Sequence, residues 1–78
     1  MSNQVKEINE FFRYAGVSEV DAVRSQMLLT NRQARIFHMK YIEGHDINFI
    51  ADTLGFCPRV INKELRIIRA KIAKSLGL

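Results

Sequence analysis

The chain has a single cysteine, Cys57, so no internal disulfide framework holds it together. Its two histidines, His38 and His45, fall on either side of an expected helix end and give no zinc-ligand spacing. The four glycines stand alone at 16, 44, 55 and 77, which leaves no glycine-rich phosphate loop. No apolar run is longer than that of Met27, Leu28 and Leu29, whereas a membrane-spanning helix needs about 20 apolar residues. The first ten residues carry Glu7 and Glu10 and no apolar stretch, which is not the pattern of a secretory signal. The expected location is the cytoplasm. No spacing pairs a nucleophile with a base, so no enzyme, catalytic residue, metal or cofactor is expected.

What the chain does have is charge of one sign at one end. Its 78 residues suffice for one small domain, and 47% hydrophobic with 26% charged residues is ordinary for a globular chain. The net charge is +4. From residue 58 onward six bases (Arg59, Lys63, Arg66, Arg69, Lys71 and Lys74) face one acid, Glu64, while residues 1–57 hold six bases and seven acids. A basic last third on a nearly neutral body is what a phosphate-binding surface requires, although a solvated helix face accounts for charge bias equally well.

Apolar residues recur at three and four throughout and nowhere alternate, so the expected fold is all-α, a small bundle of about five helices. Val5, Ile8, Phe12 and Ala15 predict a first helix from about Asn3 to Ala15, ended by Gly16 as a left-handed cap. Ser18 with Asp21 reads as a capping box opening a second helix, with Val20, Val23 and Met27 inward. Thr30 with Gln33 reads as another, opening a third helix that Gly44 closes. Its apolar side is Ile36, Phe37, Met39, Tyr41 and Ile42. Asp46 caps a fourth helix carrying Ile47, Ile50, Ala51 and Leu54, and Gly55 stops it. Pro58 suits the first position of a fifth helix reaching about Leu76, where its missing N–H is no loss. Joints this short leave no room for a linker. The chain divides at most into an N-terminal element, residues 1–28, and a second region, residues 29–78, within one compact domain.

Between Asp46 and Leu65 the chain reads helix, tight turn, helix. Ala51 is small where two helices must approach, Gly55 permits the positive φ that leaves the first helix, and Ile61 faces back toward Ile50, Ala51 and Leu54. This spacing is that of a helix-turn-helix whose second helix enters the major groove.

Residues 29–76, LTNRQARIFHMKYIEGHDINFIADTLGFCPRVINKELRIIRAKIAKSL, extend the likeness. The opening L-T-x-R-Q, the F-x-x-K-Y-I-E-G before the turn, the I-A-D-T-L-G-F helix end and the closing R-x-x-R-x-K-I-A-K-x-L resemble region 4 of bacterial sigma-70-type factors. The extracytoplasmic-function group is the nearest, and the LuxR/NarL-type effector domain is a second choice. The resemblance implies promoter binding through the last long helix. Cys57 and Pro58 depart from it, standing where those families commonly have Ser or Thr and then a polar residue. Glu64 interrupts the bases, and residues 1–28 match neither family. A sigma factor also carries a promoter-melting, polymerase-anchoring region 2, for which 78 residues have no space. The expectation is a free-standing bacterial or phage relative.

On the last helix, Ile61, Leu65, Ile68, Ile72 and Leu76 share the face expected to be core, and Arg59, Asn62, Lys63, Arg66 and Ala70 lie opposite. Arg59, Asn62 and Lys63 are the candidate base contacts, because Arg and Lys suit guanine and Asn suits adenine. Arg66 and Arg69 are candidate phosphate contacts, and so are Arg32 and Arg35 at the start of the third helix. Val60 and Ile67 point sideways, toward packing or a thymine methyl. Cys57 reads as a small turn residue or a thiol sensor. His38 and His45 read as a surface and a loop residue, and Phe11, Phe12 and Tyr14 as core or a dimer contact.

The function expected is a sequence-specific regulator of transcription that binds double-stranded DNA, as a homodimer joined through residues 1–28. Two other readings stay open. One is an adaptor that docks on RNA polymerase or a sigma factor. The other is a DNA-packaging accessory protein of a phage or mobile element.

Overall fold

In a computed structural model, the backbone of residues 3–78 and the side chains of residues 5–78 are described. Met1 and Ser2, which begin the expected N-terminal element, lie outside them. Among the described residues there are five helices and no strand: α1 (Asn3–Tyr14), α2 (Val17–Gln26), α3 (Asn31–Phe37), α4 (Ile47–Leu54) and α5 (Pro58–Leu76). The all-α expectation holds, and several of the helix ends have a local cause.

Two of the expected starts are met by their side chains. Thr30 caps α3 reciprocally: its Oγ1 accepts from the Gln33 N–H at 3.1 Å, and its own N–H donates to Gln33 Oε1 at 3.2 Å. Asp46 caps α4, with Oδ1 accepting from the Phe49 N–H at 2.8 Å. The start of α2 differs from expectation. Gly16 is its cap, and the Gly16 N–H donates to Glu19 Oε1 at 3.1 Å, so the reciprocal carboxylate is Glu19 rather than Asp21. Ser18 lies inside the helix. Nor is Gly16 left-handed: its φ of −78° and ψ of 170° are extended, the ordinary geometry of a residue entering a helix.

The third helix departs from a single α-helical run. From His38 to Ile42 it widens into one π-helical turn, and the Glu43 N–H then bonds five residues back, to the His38 carbonyl, at 3.0 Å. Gly44, at a φ of 76°, follows, and the His45 N–H returns to the Met39 carbonyl at 2.9 Å. Ile36 and Phe37 are fully buried, while Ile42, expected on the apolar side, is exposed.

The chain forms two compact units, residues 1–28 with 69–78 and residues 29–68. In the first, Ile8, Val23, Met27, Ile72 and Ala73 are buried, and Phe11 meets Phe12 edge to face at 5.1 Å. Lys71 Nζ donates to the Leu28 carbonyl at 2.6 Å, and Ser75 Oγ donates to Gln26 Oε1 at 2.8 Å, which ties the end of α2 to the last turns of α5. Tyr14, Val17 and Leu28 are exposed. In the second unit the buried apolar set is Ile36, Phe37, Ile50, Ala51, Ile61, Leu65 and Ile68. No helix among the described residues is long and apolar enough to cross a membrane.

Candidate nucleic-acid interface

The interface is built from the turn between α4 and α5. Gly55 sits at φ 76° and ψ 27°, the left-handed conformation that a residue without Cβ enters at no steric cost. The Phe56 N–H closes the turn on the Ala51 carbonyl at 3.0 Å. Two residues later Pro58 opens α5, and the Cys57 carbonyl accepts from the Val60 and Ile61 N–H groups at 3.0 and 3.4 Å. Cys57 therefore caps α5 through its backbone while its side chain stays exposed and free.

From that start, the sequence of α5 sorts into two faces. Ile61, Leu65 and Ile68 are completely buried, as are Ile50 and nearly all of Ala51 on α4. Their burial fixes the rotation of α5 about its own axis, because a turn of the helix in either direction would bring a polar side chain into the core. The opposite face is thereby presented to solvent. Arg59, Asn62, Lys63 and Arg66 are all exposed on it, and none makes a hydrogen bond or ion pair with another described residue. Four unengaged polar side chains along about two turns of a helix are what base-edge and phosphate contacts need. Val60 is half-buried and Ile67 exposed on the flanks. Arg69 is half-buried and belongs to the other compact unit.

The two arginines of α3 differ from one another. Arg35 is exposed and lines a shallow cleft with Asn31, Arg32, Leu54 and Phe56. Arg32 is engaged: its guanidinium lies over the Phe56 ring, 4.4 Å from the centroid, and donates to Glu64 Oε2 at 3.2 Å. Glu64 is the acid that the charge count left unexplained, and it turns away from the outer face of α5. Its other oxygen accepts from Gln33 Nε2 at 3.1 Å. Gln33 is the one buried polar residue among those described. Sequence spacing reveals Gln33 as a cap partner, but it says nothing of this second bond, made thirty-one residues along the chain.

At the far end of α3, Glu43 Oε1 lies 3.4 Å from His45 Nε2, and its Oε2 lies 3.7 Å from His38 Nε2. The His45 ring stacks on Phe49 at 4.2 Å. Among the described residues, no group of three or more His, Cys, Asp or Glu side chains is placed to hold a metal ion.

The family model described as ECF sigma factor, the extracytoplasmic-function group, matches residues 15–77. The match takes in α2 to α5 and leaves α1 outside it. Comparison with curated proteins and with solved structures gave no match.

Proposed function

The chain belongs to the ECF sigma factor family, and on that premise we propose that it is a sequence-specific reader of double-stranded DNA, with α5 as its recognition helix and regulation of transcription as its role. Family membership carries the coarser part: a DNA-binding role in transcription, with DNA and RNA polymerase as the class of partners. The observation that supports the finer part is the unengaged row of Arg59, Asn62, Lys63 and Arg66, held outward by the fully buried Ile61, Leu65 and Ile68.

The mechanism follows from the position of each side chain along α5. The N-terminal half of a recognition helix is the part that reaches base edges in this docking geometry. Arg59 and Lys63 offer donors to the O6 and N7 acceptors of guanine, and Asn62 offers the donor and acceptor that match adenine. Arg66 and Arg69, farther along the helix, hold backbone phosphates, as does Arg35 from α3. Phosphate contacts supply affinity and register, and base contacts supply discrimination. A reading helix of this length makes few base contacts, so the reading includes a homodimer that doubles the half-sites through residues 1–28. Exposed Tyr14, Val17 and Leu28 are apolar surface available for that purpose.

Selection from a randomised duplex library at two salt concentrations tests the proposal. One enriched motif that persists at the higher salt is expected, with two-fold symmetry if the chain binds as a dimer. Arg59→Ala should then relax a single position of the motif by about 1–3 kcal/mol, whereas Arg66→Ala should weaken all duplexes alike. Binding that enriches no motif and disappears at the higher salt would overturn sequence-specific reading. The chain would then stand as a polymerase-docking adaptor that holds DNA only through phosphates.

A further inference from the structure

We propose that Glu64 decides which cations beside the recognition helix meet DNA: it withdraws Arg32 from the phosphate-binding set and fixes the start of α3 to α5, a positioning role that sharpens specificity. The inference rests on the DNA-reading role proposed above and concerns a residue that role does not use.

The geometry is specific to the pair of helices. Glu64 follows Lys63 and precedes Leu65, so it lies on the flank of α5 between the exposed reading face and the buried stripe. Its side chain is 15% exposed, and both of its oxygens are occupied. Oε1 takes the amide of Gln33 and Oε2 takes the guanidinium of Arg32. Gln33 is itself fixed at its other end, because its Oε1 already accepts the Thr30 N–H. That leaves only the –NH2 for Glu64 and sets the orientation of the side-chain amide. Arg32 is held on two sides, with its face on Phe56 and an edge on the carboxylate. The Thr30–Gln33–Glu64–Arg32–Phe56 chain therefore connects the first turn of α3, the middle of the reading helix and the turn that launches it.

A chain of bonds with both ends anchored does two things at once. It fixes how α5 lies against the start of α3, which decides whether Arg59, Asn62 and Lys63 reach base edges together. It also neutralises a cation that would otherwise stand beside Arg35 and strengthen binding to every sequence equally. Arg32, expected from the sequence to be a phosphate contact, is on this proposal a structural partner of Glu64. A charge kept off the phosphates lowers affinity for all duplexes by the same factor, so the masking sets the level of non-specific binding and its salt slope, while discrimination comes from the fixed position of α5.

Measurement of the salt dependence of duplex binding, with thermal melting of each variant as a folding control, decides the matter. Glu64→Gln keeps an oxygen for Gln33 and the same shape but removes the charge that holds Arg32. Its binding to non-specific duplex should strengthen, and the slope of log K against log salt should steepen by about 0.9, the increment for one added phosphate contact. The double variant Arg32→Gln, Glu64→Gln has the net charge of the parent chain and no pair, and its slope should equal that of the parent. Should Glu64→Gln fold and leave the slope unchanged, Glu64 masks nothing and the proposal is overturned. A double variant whose slope falls by about 0.9 overturns it as well, even if Glu64→Gln cannot be folded, because Arg32 must then already hold a phosphate. If the parent chain selects a motif and either result follows, the masking fails alone. If the parent chain binds no duplex at all, it fails together with the DNA-reading role.

Discussion

Replacement of Gly55 isolates the one backbone position on which the presentation of α5 depends. The residue is left-handed, with φ 76° and ψ 27°, and a Cβ built there meets nothing within 4 Å. Alanine therefore brings no collision with a neighbour, only the intrinsic cost of the left-handed region, about 1–2 kcal/mol for an L-residue. Alanine also restricts the unfolded chain, which returns about 0.4–1 kcal/mol. The net loss should be about 1 kcal/mol. For 78 residues the entropy of unfolding is about 160 cal/mol/K, so Gly55→Ala should lower Tm by about 6 °C. Asn tolerates the left-handed region better than other side chains, so Gly55→Asn should fall between the parent and alanine. Calorimetric melting of the three proteins in one buffer is the assay. Motif binding at 25 °C should change less than about two-fold in either variant, because about 1 kcal/mol leaves nearly all chains folded. Alanine as stable as glycine would refute the requirement for positive φ. A loss above about 3 kcal/mol in both variants would refute the argument that the space is open, since strain at one left-handed residue does not reach that size.

Two further substitutions probe the elements on either side of that turn. Asp46→Ala removes the acceptor of the Phe49 N–H and should cost about 1 kcal/mol, while Asp46→Asn should keep most of it; paired thermal melts compare the two, and equal losses would refute the cap. Ile61→Ala empties a completely buried site between the helices of the turn and should cost about 2–5 kcal/mol, a large part of the total stability of a domain this size. Urea unfolding followed by far-UV circular dichroism measures it, and a loss below about 1 kcal/mol would mean that the core relaxes around the cavity.

Much of this architecture could be read from the sequence because its causes are local. Thr30 with Gln33, Asp46, Gly55 and Pro58 act within four residues of themselves, so their types and spacings announce helix ends directly. The period of Ile61, Leu65 and Ile68 similarly fixes which face of α5 is buried. Where the sequence misled, two local solutions competed. Ser18 and Asp21 have the spacing of a capping box, but so do Gly16 and Glu19, and glycine is an acceptable cap. The wrong choice also gave Gly16 a left-handed φ that it does not have. The π-helical turn from His38 to Ile42 left no mark that a count of apolar residues could detect, because one extra residue per turn only shifts which side chain is exposed, here Ile42.

Glu64 is the case in which pattern and meaning part. By spacing, it is a flaw in a basic helix, and reading the helix alone makes it a weakening of the DNA-binding face. Its partners, Arg32 and Gln33, lie thirty-two and thirty-one residues earlier, and nothing periodic connects them. Once the carboxylate is found between a guanidinium and a buried amide, the same residue has a structural cause. A nearly buried carboxylate is costly unless both its oxygens are satisfied, and here both are. Removing either partner should therefore be worse than replacing the set together. That asymmetry separates a built contact from an incidental surface pair, whose loss costs little whichever side is removed. The charge count set Glu64 against the bases of α5, whereas its ionic partner is Arg32 on α3, so none of those bases is neutralised by it; Arg59, Asn62, Lys63 and Arg66 are unengaged and are turned outward by the buried stripe of α5.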